Sequence, residues 1–208
     1  MKEWNHRSLK EFNRALGSDQ PTPGGGAAAG AVSSISAALL LMVVNLSGEK
    51  PELNRLEEKL TECLERSYEL MDADCEGFEG VIEAWRLPAD NGSAQNKKRL
   101  QVEKAFKKAS LPPAELMELS LEVLKIAHIV ARKGNENAWT ETGIAGLLAH
   151  AAVRASYYNT LINACNIDDG EFNEKKVSRA KSCLEEAESK AADLEEYLHE
   201  EIISCEYL

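Results

Sequence analysis

The chain has 208 residues, 44% hydrophobic but only 6% aromatic, with 35 Asp and Glu against 24 Lys and Arg for a formal net charge of -11. That balance excludes nucleic-acid backbone binding as the main role, because such binding rests on clustered Lys and Arg. The five cysteines are odd in number and form no CxxC pair, so the sequence predicts no disulfide framework and a cytoplasmic, reducing setting.

In chain order, the opening run MKEWNHRSLKEFNRALG lacks the apolar core of a signal peptide. Ser8 is placed to cap a short helix with Leu9, Phe12 and Leu16 on one face. The stretch PTPGGGAAAGAVSSISAALLLMVVNLS follows, free of charge from Pro21 to Ser47. It is long enough to span a membrane, but its first half is Gly, Ala and Ser, which insert poorly. A buried helix is therefore expected, and no membrane.

Pro51 suits the first turn of the next helix. There an apolar stripe runs from Leu53 through Leu60, Ser67 and Met71 to Phe78 and Trp85, and Asp74 falls on it. The turn-rich RLPADNGS ends this helix, and the basic segment NKKRLQVEKAFKK is helical to Ala109. Beyond Pro112 and Pro113 a helix runs to Gly134, its C-terminal stop. After GNENAWTE come the helix TGIAGLLAHAAVRASYYNTLINAC and a final long helix through Val177, Ala187 and Leu198. The fold predicted is all-α, one domain over residues 1–208, a bundle of about seven helices.

Two of these helices are built from small residues. Gly26, Gly30, Ser34 and Ala38 recur every fourth place in the first, opposite a bulky face of Val32, Ile35, Leu39, Val43 and Leu46. The second carries Glu141, Ala145, Ala149, Ala152, Ser156, Asn159 and Asn163 on one face. Small residues let helix backbones approach closely, so the two are expected as the central pair. Asn45, Asn159, Asn163 and Asp74 are polar positions on core-facing stripes, and buried polar groups converging between helices define a default site. For Asp74 the alternative is a structural ion pair with Arg99 or Arg154.

Gly24, Gly25 and Gly26 stand at a helix N-terminus, where unpaired N–H groups and the helix dipole favour an anion and bare backbone admits a ligand. The spacing is neither a dinucleotide fingerprint nor a P-loop, and a helix cap packed on a neighbour is the alternative. His6, His128, His150 and His199 show no metal-ligand spacing, and no GxSxG elbow occurs. The cluster Lys97–Lys108 is either a solvated face or an attractor for a multiply anionic small molecule.

Over residues 5–170 the runs PTPGGGAAAG, MDADCEGF, RLPADNGSAQNKKR, GNENAWTETGIAG and YYNTLINACNIDD resemble, in this order, the cyclodeaminase/cyclohydrolase family of folate enzymes. The resemblance implies a dimeric, all-helical protein that binds a tetrahydrofolate derivative, including polyglutamylated forms. It implies one of two reactions: reversible hydrolysis of 5,10-methenyltetrahydrofolate to 10-formyltetrahydrofolate, or closure of 5-formiminotetrahydrofolate with release of ammonia. A non-catalytic folate-binding or structural helical dimer is the remaining alternative. Asp74 and Glu141 are the implied catalytic residues. Pro23, Gly24, Gly25, Gly26, Asn45, Arg99, Asn135, Asn159 and Asn163 are the implied substrate contacts. Neither metal nor cofactor beyond the folate is implied. Two positions depart from the family pattern: Glu141 where Asp is usual, and Leu161 where a basic residue is frequent.

Overall fold

A computed structural model describes residues 3–204. After a 3-10 turn at Trp4–His6 come α1 (Leu9–Leu16), α2 (Gly25–Leu46), α3 (Pro51–Trp85), α4 (Gly92–Ala109), α5 (Leu111–Lys133), a 3-10 turn (Glu136–Ala138), α6 (Trp139–Ala164) and α7 (Gly170–Ser204). No strand occurs among the described residues; the fold is all-α.

The helix ends follow local chemistry. Ser8 and Glu11 form a reciprocal capping box at α1. Asn91 Oδ1 accepts from the Ala94 N–H at α4. Pro51 sits in the first turn of α3, and Pro112 and Pro113 open α5, where the missing proline N–H costs nothing. In α1 the expected apolar face is only partly used. Phe12 is buried edge-on against Trp4, whereas Leu9 is 67% exposed, because so short a helix meets the core over little more than one turn.

Helix α2 lies at the centre. It is the one described helix long and apolar enough to cross a membrane, and α3, α5 and α6 all pack against it. Ala37, Leu40 and Val43 are fully buried. Ser33 Oγ lies 3.0 Å from Ser67 Oγ of α3 and 3.1 Å from Ser120 Oγ of α5, so three small hydroxyls meet where bulkier side chains would separate the helices. The Ser36 hydroxyl donates to the Ala145 carbonyl of α6 at 2.7 Å.

Two expectations for α2 are corrected. The Gly26–Gly30 stripe faces α3, not α6: a Cβ on residue 30 would meet Met71 Cβ at 2.9 Å and the Ser67 carbonyl at 3.1 Å. The bulky face is only partly internal. Val43 is buried, but Ile35 and Leu46 are exposed, as are Ala38 and Asn45. With three neighbours covering most of the helix circumference, α2 keeps one open strip, and these residues form it.

Candidate active site

At the N-terminus of α2 the chain forms a half-open cavity of about 250 Å³. It is lined by Pro21, Thr22, Gly24, Gly25 and Gly26 from the loop and α2, Asp74 and Phe78 from α3, Ala109 from the end of α4, and Asn159, Ile162 and Asn163 from α6. Six of the residues singled out in the sequence thus meet on one surface, although they span 140 positions from Gly24 to Asn163.

Helix packing explains the meeting. Helices α2 and α6 run antiparallel, with Ser36 against Ala145 and Gly25 beside Asn159. Helices α2 and α3 also run antiparallel, with Ser33 against Ser67, Gly30 against Met71 and Gly26 against Asp74. The start of α2 therefore faces the middle of α3 and the end of α6.

Among the described residues, Asp74 is the only ionisable side chain on the cavity wall. The first turn of α2 has no side-chain cap, because its N-cap residue is Gly24. Asp74 supplies one from another helix: the Ala27 N–H donates to its carboxylate. The anion expected at this helix N-terminus is thus the protein's own. Burial outweighs that hydrogen bond and pushes the Asp74 carboxyl up from its ordinary 3.8 to about 6. An ion pair with Arg99 or Arg154 is ruled out, since Arg99 bonds Asp168 at 2.9 Å and Arg154 bonds Glu188 at 3.2 Å. Neighbouring Cys75 accepts from the Gly24 N–H, and burial pushes its thiol up to about 12. It is a neutral packing group.

The amides on α6 are held in fixed orientations. Asn159 Nδ2 donates to the Ala155 carbonyl at 2.9 Å, and Asn163 Nδ2 donates to the Ala109 carbonyl at 3.0 Å. Thr22 Oγ1 donates to Glu79 Oε1 at 3.1 Å, tying the proline loop to α3. Pro23 is buried behind the wall, joined to Thr22 by a cis peptide bond.

The other expected site residues lie elsewhere. Asn45 is exposed on α2, 20 residues from Gly25, or about 30 Å along the helix. Asn135 caps: its Nδ2 donates to the Leu46 carbonyl at 3.0 Å, and its Oδ1 accepts from the Asn137 N–H. Glu141 is in the first turn of α6, 18 residues and about 27 Å from Asn159. The Thr140 hydroxyl donates to its carboxylate at 2.7 Å and holds its pKa below the usual range. Arg99 faces a separate cleft with Ala89, Asn166 and Asp168. All four sit on a stripe or in a motif that sequence spacing cannot assign to one end of the bundle or the other.

Some residues in the cavity wall and behind it escaped sequence reasoning. Phe78 is one turn beyond Asp74 on its stripe, and Thr22 lies between the two prolines, so both had a local signal. Ala109 and Glu79 had none, since an alanine carbonyl and one glutamate among many acquire a role only through packing.

An apolar cavity with one desolvated carboxylate, two oriented amides and a glycine-lined helix start can stabilise a cationic carbon and move a proton beside it. The fold and site thus define a helical domain built for acid–base chemistry on a small molecule. The chain belongs to the formiminotransferase-cyclodeaminase family, whose sequence model matches residues 8–182. It is 32% identical to the methenyltetrahydrofolate cyclohydrolase of Methylorubrum extorquens over 88% of this chain and 91% of that one. It is 27% identical to the formimidoyltransferase-cyclodeaminase of Mus musculus over 89% of this chain but spans only 36% of that longer protein. The crystal structure of formiminotetrahydrofolate cyclodeaminase from Thermotoga maritima superposes with a TM-score of 0.86 at 26% identity, covering 96% of this chain and all of that one.

Proposed function

We propose that the chain is a folate one-carbon enzyme that hydrolyses 5,10-methenyltetrahydrofolate reversibly to 10-formyltetrahydrofolate. The observation that carries this reading is Asp74, a lone desolvated carboxylate against the glycines of α2 with a pKa of about 6. The match to the cyclohydrolase of Methylorubrum extorquens, over 88% of this chain and 91% of that one, supports it. In the hydrolysis, water adds to the cationic methenyl carbon and gives a proton to Asp74. The bond from that carbon to N5 then breaks as N5 takes that proton from Asp74, and the adduct's hydroxyl gives up its proton to solvent as it becomes the formyl carbonyl, so one proton is released overall. An ionised Asp74 stabilises the cation in the ground state and receives the proton as the adduct forms. These proton movements use the chain's own residues, and the proposal includes no metal or redox cofactor.

The tail of the substrate is anionic. Arg99, and Lys107 with Asp169 and Glu103, are engaged in ion pairs. Lys104 and Lys108 form none among the described residues, and they face a groove with Gly77, Gly80, Glu76 and Glu83 next to the Ala109 wall of the cavity. They are the better candidates to attract a glutamate or polyglutamate tail. The proposal also includes a homodimer in a reducing cytoplasm, without nucleic-acid or membrane partners. Exposed Ile35, Met42 and Leu46 on α2, exposed Ile144, Tyr158 and Ile162 on α6, and the unpaired Cys63, Cys75, Cys165 and Cys183 support it.

The test is the absorbance decay of methenyltetrahydrofolate. Purified protein accelerates it over buffer, and Asp74→Asn lowers kcat by about 10²- to 10⁴-fold. No acceleration by the wild-type chain sinks the reading. The likeness to the Thermotoga maritima cyclodeaminase favours a second reaction at the same site, in which N10 attacks the formimino carbon of 5-formiminotetrahydrofolate and ammonia leaves. Ammonia release from that substrate, measured on the same preparation, decides between them.

A further inference from the structure

Lys176 stands in the second turn of α7, in a cleft of about 340 Å³ between the starts of α7 and α5. The apolar part of its wall is Leu111, Ala114, Met117 and Ala180. The lysine is half-buried, and its ammonium lies 5.7 Å from the centre of the Phe172 ring one turn earlier. Lys107 of α4 approaches the same ring at 5.6 Å.

The carboxylates of the cleft are engaged by other cations. Glu115 takes two hydrogen bonds from Arg66 of α3, at 2.6 and 2.9 Å. Glu118 accepts from Arg179 Nε at 2.7 Å. Among the described residues Lys176 makes no ion pair with either. Burial pushes its ammonium below the ordinary 10.5, and the charge of Glu118 offsets only part of that. Lys175, the next residue along the chain, is exposed. The cleft's other nucleophile is silent, because Cys183 is 3% exposed and burial pushes its thiol up to about 11.

An amine in an apolar cleft reaches its neutral, nucleophilic form more easily than one in water. Arg179 lies one turn on, with its side chain 68% exposed, and suits an anionic leaving group at the rim. We propose that Lys176 is a covalent modification site that takes an acyl group from an acyl phosphate. The amine nitrogen attacks the carbonyl carbon and forms an amide bond. The bond from that carbon to the phosphate oxygen breaks, and phosphate leaves with the electron pair and takes up the proton that nitrogen loses. The amide so formed is uncharged, which fits the Leu111, Met117 and Ala180 wall better than an ammonium does. The cleft shares no residue with the cavity at the start of α2, so the proposal stands apart from the folate reading.

The test treats the purified full chain with acetyl phosphate and follows each lysine by peptide mass spectrometry. In the folded chain Lys176 is expected to be acetylated at least about threefold faster than Lys175. In guanidinium chloride the two rates should become equal, since only the fold buries one of them. Glu118→Gln removes the carboxylate that favours the ammonium and should widen the ratio. A Lys176 rate at or below that of Lys175 in the folded chain overturns the proposal. So does a preference that survives unfolding, or a ratio that Glu118→Gln narrows.

Discussion

Gly26 and Asp74 compete for one volume: a Cβ atom on residue 26 would stand 2.1 Å from Asp74 Oδ1 and 2.2 Å from its Cγ. The glycine is required because another helix sends its carboxylate into the first turn of α2. Its left neighbour Gly25 has more room, with Asn159 at 3.7 Å from the corresponding position. Gly26→Ala should therefore displace Asp74 more than it disturbs the fold. The expected result is a loss in kcat/KM of about 10²-fold, the scale of an ångström misplacement at a reacting centre. Overpacking should cost about 1–3 kcal/mol of stability in denaturant unfolding. Wild-type activity in a folded Gly26→Ala protein would remove Asp74 from the chemistry.

Burial of Asp74 has a stability consequence with an unusual sign. Its folded-state pKa, about 6, lies above its ordinary 3.8, so folding takes up a proton between these values. Stability contributed by this group is therefore highest below about pH 4, falls as pH rises through about 6, and stays lower above that. Two pKa units correspond to roughly 3 kcal/mol, an upper figure for a group with some solvent contact. Asp74→Asn keeps an acceptor for the Ala27 N–H and removes the charge. It should raise Tm at pH 8 by about 5 °C over the wild type, and the gain should vanish near pH 4. Calorimetric scans of both proteins at the two pH values check it.

The same group sets the pH dependence of the hydrolysis. With the ionised carboxylate as the active form, kcat/KM should fall about tenfold per pH unit below the Asp74 pKa of about 6. The limb should disappear from the residual activity of Asp74→Asn. A pH–rate profile under saturating buffer control reads both features.

Glu141 is solvent-facing and about 27 Å along α6 from Asn159. Within one chain, Glu141→Gln should change kcat/KM by less than about threefold, as expected of a group outside the reacting shell. A larger loss in steady-state kinetics would mean that a second chain carries its own Glu141 to this cavity.

Asn135 serves the fold rather than the cavity. Asn135→Ala removes the bond to the Leu46 carbonyl and the acceptor for the Asn137 N–H. It should cost about 1 kcal/mol, typical of a lost cap, with kcat/KM unchanged. Urea unfolding alongside turnover separates the two effects.

What could be read without a structure was local. The helix starts at Ser8 and Pro51, the stop at Gly134 and the apolar stripe of α3 follow from caps, prolines and three- and four-residue spacing, all decided within a turn or two of chain. The presence of Asp74 on a core-facing stripe was likewise plain, since charge on such a stripe is costly wherever the helix packs.

Which polar residues meet was decided only by tertiary structure. Asn45 and Glu141 carried the same kind of signal as Asn159 and Asn163, because a helical stripe looks alike along its length, and Asn135 entered only through the motif that holds it. Antiparallel packing of α2 with α3 and α6 put Gly26, Asp74, Asn159 and Asn163 at one end of the bundle. It put Leu46, Asn135 and Glu141 at the other. Periodicity defines which face of a helix is buried; the direction and register of its neighbours define what that face encounters.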